Sequence, residues 1–179
     1  MKTLRKILIW LFAIIAVIVI VGLFIPGKVH VERSSAMNAP VEKVFPLVAD
    51  MQNWPSWSPW HKMDPNMKIT YFGPQMGPGA GYSWTSEKMG NGKMTIKGYE
   101  ENKALVTEMD FMENGIATGG FNFTPEGSGT KVTWYMDSDV KQGNVFMKAL
   151  GGYFGLMFKS MIADDFDKGL ADMKKEAEK

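Results

Sequence analysis

The chain has 179 residues, 20 basic and 19 acidic side chains, two histidines and no cysteine. The missing cysteine excludes disulfides, thiol nucleophiles and thiolate metal sites, and two histidines are too few for a site built from several imidazoles. Three of the 20 basic residues precede Lys28, so the rest of the chain sets 17 basic against 19 acidic groups, with no basic run that would mark a nucleic-acid partner.

Residues 7–25 carry no charge, and Pro26-Gly27 closes the run behind Lys2, Arg5 and Lys6. As a helix, nineteen residues reach about 28 Å, close to the roughly 30 Å hydrocarbon core of a bilayer. A secretory signal has a shorter apolar core of about 7–15 residues and an A-x-A-like cleavage site, which Val19 to Pro26 does not offer. The expectation is an uncleaved single-pass anchor over residues 1–27 and one domain over 28–179. The basic N-terminus places that domain on the extracytoplasmic side, an asymmetry that Lys28 and Arg33 weaken.

After the anchor, Val29-His30-Val31-Glu32-Arg33 alternates as a strand. Asn38-Ala39-Pro40 opens a helix whose Val41, Val44, Phe45 and Val48 share one side, with Pro46 as its awkward member. A Trp-rich short helix or loop runs from Asp50 to His61. From Met67 the pattern becomes six strands joined by tight turns, marked by Ile69, Trp84, Ile96, Met109, Phe121 and Trp134. Gly90-Asn91-Gly92, Glu101-Asn102-Lys103, Glu113-Asn114-Gly115 and Glu126-Gly127-Ser128-Gly129 supply the hairpin chemistry. Such short spacing leaves no room for crossover helices and predicts an antiparallel meander. Trp84, Met94, Ile96, Met109, Phe111, Phe121, Phe123, Trp134 and Met136 share its apolar face, while Lys97, Glu108, Asp110, Asn122, Lys131 and Asp137 share the other. An apolar face needs a cover. A long helix from Val145 to about Lys175 provides it, through Phe154, Phe158, Ile162, Phe166, Leu170 and Met173.

Asn38-Ala39-Pro40-Val41-Glu42-Lys43-Val44-Phe45 and the Trp-x-x-Trp run Trp54-Pro55-Ser56-Trp57-Ser58-Pro59-Trp60 carry a family likeness, to which Gly77 to Trp84 and Phe166/Leu170 add. With them the chain resembles the SRPBCC superfamily, which includes START lipid-transfer and birch-pollen-allergen-like proteins, and within it the bacterial polyketide cyclase/dehydrase-like branch. The resemblance implies an α+β helix-grip fold, a curved antiparallel sheet wrapped around the C-terminal helix with a cavity between them. The fold hosts carriers, receptors and enzymes alike, so the likeness fixes no single activity.

The expected lining of that cavity is Trp84, Met94, Ile96, Met109, Phe121, Phe123, Trp134, Met136, Phe154 and Phe158. A fully packed core is the alternative. Trp54, Trp57 and Trp60 either form the pocket rim or fill the junction between the short helices and the sheet. His61 is the weak candidate for an acid/base, against its reading as a surface residue. Gly151, Gly152 and Gly155 in the long helix signal a bend, a gate or a close approach. Gly77-Pro78-Gly79-Ala80-Gly81 lies between strands and lacks the context of a phosphate loop. Asp164, Asp165 and Asp167 read as a solvated face rather than a metal site.

The function expected is membrane-anchored binding of a small or medium hydrophobic ligand, lipid or isoprenoid-like, with no cofactor and no metal. The alternatives are a polyketide cyclase/dehydratase-like enzyme and a tethered interaction or stress-response module. The partners expected are that ligand and the membrane, through residues 7–25, with any protein partner left open.

Overall fold

The computed structural model describes residues 2–112, 115–141 and 143–179. Helix α1 covers Lys2–Phe24 and is followed by strand β1, Lys28–Met37. Helix α2 spans Val41–Ala49, a 3-10 turn spans Met51–Asn53, and two short helices follow, α3 at Trp54–Trp57 and α4 at Pro59–Met63. Strands β2 (Lys68–Phe72), β3 (Gly81–Ser86), β4 (Gly90–Glu100), β5 (Ala104–Asp110), β6 (Ile116–Glu126) and β7 (Gly129–Asp139) precede helix α5, Val145–Ala177. Of the expected turn Glu113-Asn114-Gly115, the first two residues lie outside the described residues.

The six-strand meander forms as its alternation demands, and β1 pairs antiparallel with β7 to give one sheet of order β1-β7-β6-β5-β4-β3-β2. This is the α+β helix-grip architecture. Strand β1 runs four residues beyond the Val29–Arg33 alternation, because Ser34 to Met37 pair in register with Thr133 to Thr130. Asn102 at φ 57 and Gly127 at φ 62 make the turns after β4 and β6. Pro46 is tolerated in α2 because that helix is only nine residues long and Pro46 sits in its last turn. The Pro46 carbonyl accepts from the Asp50 backbone N–H at 3.2 Å and from Asn53 Nδ2 at 3.0 Å.

Helix α5 has 33 residues, about 50 Å at 1.5 Å each, and outruns the sheet. Its C-terminal half buries Ile162, Ala163, Phe166, Leu170 and Met173 against the core. Its first half runs beside α1. There a Cβ on Gly152 would come within 2.6 Å of the Gly22 carbonyl oxygen, and one on Gly22 within 2.5 Å of the Ala149 carbonyl oxygen. The two helices therefore meet backbone to backbone, which only glycine allows. A close approach also explains Gly151 and Gly155, which pack on Val140 and not on α1. Tyr153 reinforces the contact with α1 by donating its hydroxyl to the Ile18 carbonyl at 2.9 Å.

Candidate functional site

Aromatic rings dominate the space between sheet and helices. The indole N–H of Trp54 donates to the Val48 carbonyl at 2.9 Å, and that of Trp57 to the Leu47 carbonyl at 2.7 Å. These are among the carbonyls that the end of α2 leaves without helical partners, so the Trp-rich segment docks on α2 and turns its rings inward. Trp134 is the centre of the cluster. It stacks on Phe166 at 3.9 Å and 8° and on Phe121 at 5.0 Å. It also meets the edges of Trp57 and Trp60, each at 5.4 Å.

This arrangement moves several residues from where the sequence suggests them. Trp54 and Trp57 are wholly buried and fill the core, so of the three tryptophans expected at a rim only Trp60 reaches the surface. Phe121, Trp134, Ile96, Met136 and Phe123 occupy the apolar face as expected, but the chain's own rings cover its middle. Phe154 stands outside, 51% exposed and stacked on Phe158 at 5.6 Å. Steps of four residues advance a helical stripe by about 40° each, so a line through Phe166 and Phe158 has rotated off the sheet by Phe154.

The cover thins at one end. In register, Val29, Ser138, Ala117, Met109, Met94 and Tyr82 form one row across the sheet. Beyond it, toward the junction with α1, come Trp84 opposite Gly92 and Ile69, then Phe111 and Val140. Trp84, Phe111, Val140 and Phe158 are only half-buried there. Phe111, Trp84, Tyr82 and His61 form a chain of tilted or edge-on ring contacts of 5.8, 5.9 and 5.6 Å.

His61 is the polar member of this row. Both of its ring nitrogens are buried, and neither has a hydrogen-bond partner among the described residues. Burial lowers its pKa to about 4, so the imidazole is neutral at pH 7 and presents one donor and one acceptor. Burial likewise pushes the Tyr82 phenol up, which keeps it protonated. Helix α4 is pinned on both sides of the ring. Lys62 reaches Asp172 of α5 at 2.7 Å, and the Asp64 carboxylate accepts from the Ser86 hydroxyl of β3 at 2.6 Å. That hydroxyl is the main cause of Asp64's lowered pKa, with the Asn66 N–H and Lys88 adding to it and desolvation opposing it.

The remaining candidates stay peripheral. His30 lies on the outer face, 2.8 Å from Asp137. Glu108 pairs with Lys97 at 2.9 Å, and Asp167 with Arg33 at 3.2 Å. Among the described residues no group of three or more His, Cys, Asp or Glu is placed to hold a metal ion. Two open surface clefts, of about 320 and 400 Å³, lie at Asp50, Tyr71 and Gln75 and at Ser34, Asp167 and Lys174, away from the expected lining. Sequence reasoning missed the role of Tyr82, although its alternation with Trp84 was the available signal.

A family model described as polyketide cyclase / dehydrase and lipid transport matches residues 28–178. No curated protein matches the chain. Among solved structures, the protein of unknown function SA2116 from Staphylococcus aureus aligns with a TM-score of 0.66 at 13% identity, over 84% of this chain and 94% of its own. The KanY protein aligns at 0.61 and 17% identity, over 86% and 99%. DynU16, a putative protein in the dynemicin biosynthetic locus, aligns at 0.56 and 14% identity over 82% of this chain, which spans about half of DynU16's length, 46%. At these identities the likeness is one of fold.

Proposed function

Because the chain belongs to the polyketide cyclase / dehydrase and lipid transport family, we propose that it binds a hydrophobic molecule, lipid or isoprenoid-like, at the thinly covered end of its sheet, and that α1 holds this end against a membrane. One observation carries the reading. The half-buried rings of Trp84, Phe111 and Phe158 are grouped at the sheet end that adjoins α1. Beside them, the His61 ring against Tyr82 and the Ser138 hydroxyl in the neighbouring row are both buried and without hydrogen-bond partners among the described residues. Apolar walls with a few polar tips are the usual make-up of a small-molecule site. A buried polar nitrogen without a partner costs about 1–3 kcal/mol, which a ligand hydroxyl or carbonyl at His61 would offset.

Thr3–Phe24 is long and apolar enough to cross a bilayer. The glycine contact between Gly22 and Gly152 supports retention of this helix as an anchor, since a cleaved leader has no need to fit the mature domain. Tethering raises the local concentration of a bilayer ligand around the site without new contacts. The basic residues ahead of the span favour an extracytoplasmic domain.

Native mass spectrometry of the full chain released from membranes tests the binding. An apolar adduct is expected on the parent protein, and it should be lost in Phe111→Asp and in Met109→Glu. A parent protein free of adduct, also after incubation with membrane lipid extract, removes the reading. A cyclase-like reaction on a polyketide-type substrate is the second reading, and His61 alone favours it. Its neutral imidazole can accept a proton from an activated carbon. In that case His61→Gln abolishes turnover while the adduct remains.

A further inference from the structure

The first half of α5 is the part of the molecule that a domain in water explains least. Phe146, Leu150, Phe154, Leu156, Met157 and Met161 are between 45% and 72% exposed along one continuous stretch of helix. Met112 and Ile116, at the turn between β5 and β6, extend the exposed apolar surface at the same end of the sheet. No acidic residue lies between Val145 and Ala163, and the charges in that stretch are Lys148 and Lys159.

We infer that this half of α5 is embedded in the membrane leaflet as a second, non-crossing segment, with lipid acyl chains covering its exposed side. The inference rests on the reading of α1 as a bilayer-spanning helix, and the contact between the two helices carries it. Tyr153 of α5 bonds the Ile18 carbonyl, six residues before the end of α1 at Phe24. Six residues are about 9 Å of helix, which is well inside one leaflet of a hydrocarbon core about 30 Å thick. Gly22 and Gly152 press the backbones together between those points. A helix that touches α1 at that depth lies at that depth itself.

The chemistry of the segment agrees. Val145 to Phe158 is fourteen residues, a length suited to an interfacial or re-entrant helix and too short to cross. Lys148 and Lys159, eleven residues apart and so on one side of the helix, fit the basic polar face of helices that lie in the headgroup–acyl boundary. The embedded end is also the one that carries Trp84, Phe111 and Phe158. The route from leaflet to binding site then passes along protein and acyl chains and never through water.

The absence of cysteine permits single-site labelling of the full chain. Met157→Cys, Ile14→Cys and Lys131→Cys are each labelled with an environment-sensitive fluorophore and reconstituted in phosphatidylcholine/phosphatidylglycerol vesicles that contain doxyl-labelled lipid. The expected result is several-fold stronger quenching by doxyl lipid than by aqueous iodide at positions 157 and 14, and the reverse at 131. Leu156→Cys repeats the measurement one residue away. Iodide quenching at 157 with lipid quenching at 14 overturns the inference and leaves the anchor standing. Iodide quenching at both positions removes both. Lipid quenching at 157 alone keeps the embedded segment and removes the spanning helix. Protection of 157 from both quenchers, with disulfide-linked dimers of the unlabelled variant, assigns the surface to a second copy and overturns the inference.

Discussion

The two halves of α5 belong to one uninterrupted helix and face opposite demands. From Ile162 to Ala177 the helix has a buried side set into the sheet, with Phe166 parallel to Trp134 and Gly169 leaving room for the Trp134 ring. From Val145 to Met161 it buries chiefly the small residues Ala149, Gly151, Gly152 and Gly155, and turns its large apolar side chains outward. In water, burying large side chains stabilises the first arrangement and leaves the second exposed. In lipid, large residues gain nothing from hiding, and small ones are what lets helices approach closely. On the proposed reading, the contrast is that of one helix packed for two solvents.

The largest break in that comparison is expected at Phe166. Phe166→Ala removes a fully buried ring and should cost about 3–5 kcal/mol, read from urea unfolding of the full chain in detergent. Leu156→Ala in the other half should stay within about 0.5 kcal/mol in the same assay. Equal losses would show that both halves are packed alike. Next comes the helix contact. Gly152→Leu drives a side chain into the Gly22 carbonyl and should cost about 1–3 kcal/mol. It should also abolish cross-linking between cysteines introduced at positions 19 and 153. Retention of the cross-link at parental efficiency would show that the close approach does not exist.

The smallest effect concerns His61, where the readout is a slope. Its pKa is lowered from 6.5 to about 4 in the folded chain. Between those values the unfolded chain binds more protons, so the imidazole's contribution makes stability fall as pH drops from 6.5 toward 4, and contributes no change above 6.5. Unfolding of the parent and of His61→Gln over pH 4–7 should give curves that converge toward low pH. Parallel curves would mean that the ring is solvated and that the polar tip of the proposed site is absent.

Much of this was legible in the residues. Alternation at Met94/Ile96, Met109/Phe111 and Phe121/Phe123 placed the strands and their apolar face, because a strand's period of two is a local property. The glycines of α5 announced something close. What they approach was not readable, since Gly152 meets Gly22 more than a hundred residues away, while Gly151 and Gly155 meet Val140. The tryptophans were ambiguous for the same reason. Trp57 and Trp60 share a spacing, a composition and proline neighbours, yet one is sealed in the core and the other reaches the surface. Phe154 and Phe158 misled because steps of four look like a straight stripe in sequence and wind around a real helix.

The order of elements, the membrane-length helix, the one-sided sheet and the long closing helix all follow from periodicity and composition, which act over a few residues at a time. Tertiary structure alone decided that Trp134 is capped by Phe166, that His61 is stranded beside Tyr82, and that α5 leaves the sheet midway to lie on α1. Those outcomes depend on strand register and helix rotation, which only contacts between distant parts of the chain can set.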